Sequence, residues 1–183
     1  SYDSFHDTDR LYRVESRLYE GEMLTDNWAT TAYGHAPAVN REIAGIEKYV
    51  RVTAQDREQV VNYFDRRFAE EHYCYTEPAF FEIFNFPIVK GEKTGQLVRP
   101  NTVVLTESAA SRYFGEEDPI GKILTFSTSS SQQNFEVTGI IADMPVRSHL
   151  HYDFLLSYNT IPKERQDIWY IHGVYTCLLY TSP

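Results

Sequence analysis

The chain has 183 residues, 26 acidic against 17 basic side chains and a formal net charge of −9, enough length to bury a core as one domain or two small subdomains. That acidity repels a phosphate backbone unless basic residues cluster, and the densest basic spots, Arg66-Arg67 and Arg147, sit beside acids, which excludes nucleic acid and polybasic membrane contact. No run of about 18 apolar residues is long enough to span a bilayer, and no basic-apolar signal segment opens the chain.

In chain order, Arg10 to Glu20 alternates in the manner of one strand, with a polar loop following through Trp28. Pro37 then begins a predicted helix whose Val39, Ile43, Ile46 and Val50 form an apolar stripe opposite Arg41, Glu42, Glu47 and Lys48. Tyr49 to Thr53 returns to a strand and closes a β-α-β unit. Asn62 to Tyr75 is rich in aromatics and suits a sheet. Thr76 with Pro78 starts a helix carrying Phe80, Phe81 and Phe84, an aromatic stripe that reads as core, not as a ligand box. Phe86 to Val89 makes a strand that Gly91 ends.

The densest run of signals lies between Asn101 and Met144. Val103, Val104 and Leu105 form a strand, and Thr106 caps a helix with Ala109, Ala110, Tyr113 and Phe114 on one face. Gly115 stops that helix, and Asp118-Pro119 with Gly121 makes a tight turn. Lys122 to Phe126 is extended, Ser127 to Ser131 is a loop, and Phe135, Val137 and Ile141 alternate towards one face of a further strand. No internal repeat is present.

Chemistry has few candidates. Gly115 to Lys122, GEEDPIGK, has five residues between its glycines, no hydroxyl after its lysine and acids where phosphate would sit, so it reads as a helix stop and turn. His149, His151 and Asp153 alternate along a predicted strand, and three such ligands on one face are a weak candidate for zinc. Ser108 and Ser111 have no evident base nearby. Glu70-Glu71 and Glu116-Glu117 read as solvated faces. Cys74 and Cys177 lack the spacing of a redox or zinc motif, and their pairing stays open.

The succession "VVLTESAASRYFGEEDPIGKIL" then "FEVTGIIADMPVRSH" resembles the MacB-like periplasmic core domain of bacterial ABC-transporter permeases. "YTEPAFFEIFNFPIVKGE" (75–92) is similar to a segment of that family, and "YDSFHDTDRLYRVE" (2–15) to the stretch after the first membrane helix in Bacteroidetes-type members, so the resemblance covers most of the chain. Ser148-His149 also matches a turn those members carry, a simpler reading of that place than metal.

The resemblance implies an α+β fold of two lobes: a β-α-β Porter-like subdomain (1–54, returning at 161–183) with an inserted, mostly β Sabre-like subdomain (55–160). It implies that the late segment to Pro183 lacks the helix and strand that close the Porter lobe. The implied function is an extracytoplasmic, non-enzymatic permease domain that passes ATP-driven motion across the inner membrane to export or extract a drug, peptide or lipoprotein. Implied partners are a second permease copy or paralogue, the cytoplasmic ATPase and a periplasmic adaptor or lipoprotein. No cofactor is implied in the domain itself, because ATP is bound by a separate cytoplasmic domain or subunit. Two readings from other classes are a free-standing periplasmic binding module gripping a ligand with its aromatic surface, and a hydrolase using carboxylates.

Overall fold

Residues 10–54, 57–145, 150–169 and 172–180 are described by a computed structural model of the chain. The alternating run after Arg10 divides at Glu15 into β1 (Leu11–Val14) and β2 (Ser16–Glu20), and the expected polar loop contains a strand, β3 (Met23–Trp28). Gly21 at φ +65° explains the difference: Glu20 pairs with Met23 across a two-residue loop whose first position is glycine, a favoured hairpin turn.

After β4 (Thr31–Ala32), helix α1 (His35–Glu42) is shorter than its apolar stripe predicts. Ile43 is already extended and Gly45 sits at φ +90°, so Ile46 and Val50 lie on β5 (Ile46–Ala54). A spacing of four fits both a helix turn and two strand periods, and the glycine decides between them. The aromatic stretch forms β6 (Gln59–Tyr63), β7 (Arg66–Glu70) and β8 (Tyr73–Thr76). One-turn helix α2 (Phe80–Ile83) and β9 (Ile88–Gly91) follow, with Phe86 buried ahead of the strand and not in it.

From Asn101 onward most local expectations hold. After β10 (Thr102–Thr106), the Thr106 side chain accepts a hydrogen bond from the Ala109 N–H and opens α3 (Glu107–Phe114). Gly115 at φ +59° closes the helix by donating its N–H to the Ser111 carbonyl. Then come β11 (Ile123–Ser127), β12 (Gln132–Ile141), β13 (Phe154–Ser157), a 3₁₀ turn at Tyr158–Thr160, α4 (Lys163–Gln166) and β14 (His172–Tyr180).

The described strands other than β2 and β3 join one sheet in the order β1-β14-β5-β8-β13-β10-β12-β11-β6-β7, with β4 also on β14 and β9 on β12. This is the sheet-dominated α+β class that the sequence predicts. β1 and β5 both run antiparallel to the β14 between them, so they are parallel and the β-α-β unit is split by the last strand. At the centre, β10 and β13 are buried along their whole length. Val103, Leu105, Phe154 and Leu156 face the layer that holds Ala109 and Tyr113 of α3. Val104 and Leu155 face the layer holding Phe80, Ile83 and Phe84 around α2. Burial on both faces is why these strands read as unbroken apolar runs. Each fully buried Phe or Leu contributes about 2–3 kcal/mol of apolar transfer.

One side chain changes face. Val103 lies opposite Val137 but Val104 lies opposite Gly139, so Thr138 is the extra residue of a bulge. Beyond it the alternation slips by one, and Ile140 joins Phe135 and Val137 in the α3 layer while Ile141 packs in the α2 layer. Gln96 holds the bulge: its Nε2 donates to the Thr138 carbonyl at 2.9 Å, and the Thr138 hydroxyl donates to its Oε1 at 2.6 Å.

The β6–β7 turn carries the opposite kind of feature. Phe64 sits at its tip, 89% exposed and at φ +49°, a conformation glycine adopts without strain. Phe64→Gly is therefore expected to stabilise the fold by roughly 1 kcal/mol. Urea unfolding measures this, and a loss of stability would show that the Phe64 edge contact with Tyr63 outweighs the strain.

Candidate functional site: a buried arginine seam

The strongest concentration of polar contacts surrounds Arg51, in the middle of β5. Val50 and Val52 point into the α2 layer, so Arg51 points to the other face, where sequence alternation predicts solvent. That face is covered instead, and only 6% of the Arg51 side chain is exposed. Its Nε and Nη2 donate to Glu77 Oε1 at 3.2 and 2.6 Å, while its backbone N–H donates to Glu77 Oε2 at 2.8 Å. Nη1 donates to the carbonyls of Tyr33 at 2.9 Å and Gln166 at 3.0 Å. The guanidinium lies 4.2 Å from the ring centre of Tyr158, which is fully buried and whose phenol burial pushes up.

Five segments thus meet on one cation: the turn before α1, β5, the turn before α2, the 3₁₀ turn and the end of α4. Segments as far apart in sequence as Tyr33 and Gln166 are tied at this point. No sequence signal marks this, because the groups that cover Arg51 are distant in the chain. The arrangement holds backbone segments in place.

A second ion-paired cluster joins β7 to α3. Arg112 donates to both oxygens of Glu70 at 2.9 and 3.0 Å and reaches Asp153 at 3.4 Å, while the Tyr113 hydroxyl donates to Glu70 at 2.7 Å. Burial and the Glu70 carboxylate push the Tyr113 phenol well up. Glu70 is buried, contrary to the solvated face the sequence predicts, because the last residue of β7 turns inward under α3. Arg66 reaches the C-terminal end of the same helix and donates to the Tyr113 carbonyl at 2.6 Å.

The zinc candidates divide. Asp153 belongs to the Arg112 cluster, and His151 packs edge-on against His72 at 5.3 Å. Both precede β13 and do not lie along it, so they share no strand face; His149 lies outside the described residues. Among the described residues, no three His, Cys, Asp or Glu side chains gather at metal-holding distances.

Ser108 and the GEEDPIGK turn have structural partners. Ser108 Oγ and N–H both donate to Asp143, the N–H at 2.9 Å, and these bonds hold the Asp143 carboxyl below its usual range. That cap on α3 comes from a residue 35 positions later, so sequence inspection of the neighbours of Ser108 misses it. In GEEDPIGK, Lys122 pairs with Glu117 and Asp118 with Lys90, while the Ile120 N–H donates to Asp118 at 3.0 Å. This is the turn the sequence predicts, with its lysine already engaged.

Cys177 lies opposite Val50 and Cys74 opposite Ala54, on strands that flank β5 from either side. Two strand spacings are about 9.5 Å, beyond the roughly 7 Å a disulfide spans, and both thiols are free. Burial raises the Cys74 thiol well above its usual value and that of Cys177 to about 11, so both are protonated at neutral pH. A cavity of 240 Å³ lies beside Gln96, Thr102, Glu136 and Thr138, edged by the Arg99–Glu136 pair at 3.1 Å.

No curated protein sequence matches the chain. Among solved structures it is similar to a domain assigned to a permease protein of Porphyromonas gingivalis, with 24% identity and a TM-score of 0.81 over 95% of this chain and 74% of that one. It is also similar to the periplasmic region of MacB from Actinobacillus actinomycetemcomitans, with 17% identity and a TM-score of 0.61 over 80% of this chain and 63% of that one. The extracellular domain of the noncanonic ABC-type transporter YknZ from Gram-positive bacteria matches at 15% identity and a TM-score of 0.65, over 94% of this chain and 84% of that one. At these identities the structures speak for the fold. The family model of the MacB-like periplasmic core domain matches residues 1–177, and the chain belongs to that family of ABC-transporter permease domains.

Proposed function

We propose that this domain stands on the outer side of the inner membrane in an ABC-transporter permease, between its first and second membrane helices, and passes nucleotide-driven motion to an extracytoplasmic substrate. The observation that carries the reading is a register: Leu11, where β1 starts, lies opposite Leu179, where β14 is ending. The first and last described strands of the sheet are neighbours. A pull on that pair is delivered to adjacent antiparallel strands, and from them through β5 and Arg51 to the segments beyond. Such a lever needs rigid seams and a second copy or paralogue to move against, and it needs no reactive centre.

On this reading residues 1–54 and 161–183 form the membrane-proximal lobe and residues 55–160 the distal one. ATP binding falls to a separate cytoplasmic domain or subunit. The transported molecule is an extracytoplasmic drug, peptide or lipoprotein, met directly or through an adaptor.

The location is tested in the parent permease with Ser130→Cys, an exposed position in the β11–β12 turn. A membrane-impermeant maleimide is expected to label it in cells whose outer membrane alone is permeabilised. Labelling only after the inner membrane is broken would sink the reading.

A further inference from the structure

The β2–β3 hairpin stands apart from the rest of the fold. Its two strands pair only with each other in the described structure, and a lone two-stranded hairpin is marginal in water. Four large apolar side chains nevertheless face solvent on it: Leu18, Tyr19, Met23 and Leu24, 43 to 66% exposed. Among the described residues, the outer edge of β2 pairs with no other strand.

The two edges are not equivalent. Leu18 lies opposite Asp26 and Tyr19 opposite Leu24, so Thr25 is an extra residue bulging from β3. A bulge twists an edge away from further pairing. β2 has no such blunting.

Charge separates them further. Two copies related by a two-fold axis pair antiparallel, and residues opposite one another must share a face, so the register centres on a residue. Centred on Leu18, β2 sets Leu18 against Leu18 of the second copy, Arg17 against Tyr19 twice and Ser16 against Glu20 twice. Apolar meets apolar, a guanidinium meets an aromatic ring, and no like charges oppose. Centred on Leu24, the β3 edge sets Glu22 against Asp26 twice, a repulsive pairing.

We propose that β2 pairs with β2 of a second copy of this chain, extending two hairpins into one four-stranded sheet centred on Leu18. This rests on the reading above, in which two copies work against one another, and it names the strand through which they meet.

Leu18→Cys tests it directly, because opposed residues in an antiparallel pair sit about 4.5–5.5 Å apart at Cα, inside disulfide range. Under mild oxidation Leu18→Cys is expected to give a covalent dimer about tenfold faster than Met23→Cys or Leu24→Cys. The unaltered chain, with Cys74 buried and Cys177 half-buried, is expected to stay monomeric on a non-reducing gel. Arg17→Glu added to Leu18→Cys is expected to slow linking, since it replaces the guanidinium over the Tyr19 ring of the other copy with a carboxylate. The melting temperature of each variant checks that the fold is kept; Leu18→Ser, expected to melt as the unaltered chain does, covers the case in which the cysteine variant misfolds, because its self-association by sedimentation must fall. Equal linking at positions 18, 23 and 24, no linking at 18, or undiminished association of Leu18→Ser would overturn the pairing. The maleimide result at Ser130→Cys is independent of all three, so the pairing can fail while the proposed function stands.

Discussion

Arg51→Met is expected to destabilise the domain by about 3–5 kcal/mol, the range for removing one partner of a buried ion pair. Methionine keeps much of the stem volume, so packing loss is small. What remains is a Glu77 carboxylate 16% exposed with no cation, and carbonyls of Tyr33 and Gln166 without their donor. Arg51→Lys is expected to recover part of this, because an ammonium supplies charge but not the fork that serves Glu77 and two carbonyls at once. The double variant Arg51→Met/Glu77→Leu is expected to recover more than either single change predicts, since it removes the orphaned charge. Urea unfolding midpoints measure all three. A loss below about 1 kcal/mol for Arg51→Met would mean water satisfies these groups and that the seam is not rigid.

Gly91→Ala is expected to cost at least about 3 kcal/mol, from backbone strain and a clash that cannot relax cheaply. Gly91 sits at φ +97°, and an added Cβ would lie 2.4 Å from the Thr138 carbonyl oxygen. That carbonyl belongs to the bulge that sets the face of Ile140 and Ile141, so moving it disturbs both layers of the core. Two other glycines calibrate the effect. Gly95 has φ +78° and open space around it, so Gly95→Ala is expected to cost about 1 kcal/mol of conformational strain alone. At Gly139 a Cβ would meet the Gln96 amide at 2.9 Å, a side chain that can shift only by giving up its bonds to Thr138. The expected order of damage is therefore Gly91, then Gly139, then Gly95. Equal costs at Gly91 and Gly95 would show that the close approach carries no energy.

The residues that sequence reading placed well are those whose signals are local. Thr106 caps a helix three residues away, Gly115 ends it, and the α3 face of Ala109, Ala110, Tyr113 and Phe114 repeats within two turns. Residues it misplaced answer to distant chain. Glu70 is buried because Arg112 and Tyr113 arrive over it, 42 and 43 positions later. Ile141 changes face because Gln96 and Gly91 stabilise a bulge that β12 does not announce. The α1 stripe failed for another reason: a spacing of four is ambiguous between helix and strand, and Gly45 outweighed it. As for function, the Arg51 seam has no local trace at all, since Tyr33, Glu77, Tyr158 and Gln166 meet only in the folded chain. The family words were legible because they encode turns and caps, which are local by nature.

On the proposed function, this domain moves with the nucleotide cycle of its permease. Electron–electron double resonance between spin labels at Ser130→Cys in the two copies of the intact, membrane-embedded transporter tests it. The β11–β12 turn is exposed, Cys74 is buried away from label, and the half-buried Cys177 is changed to serine. The distance distribution is expected to differ between nucleotide-free and ATP-bound, hydrolysis-arrested transporter, with the separation shifting as the two domains move. Identical distributions in the two states, in a transporter shown to bind ATP, would contradict it.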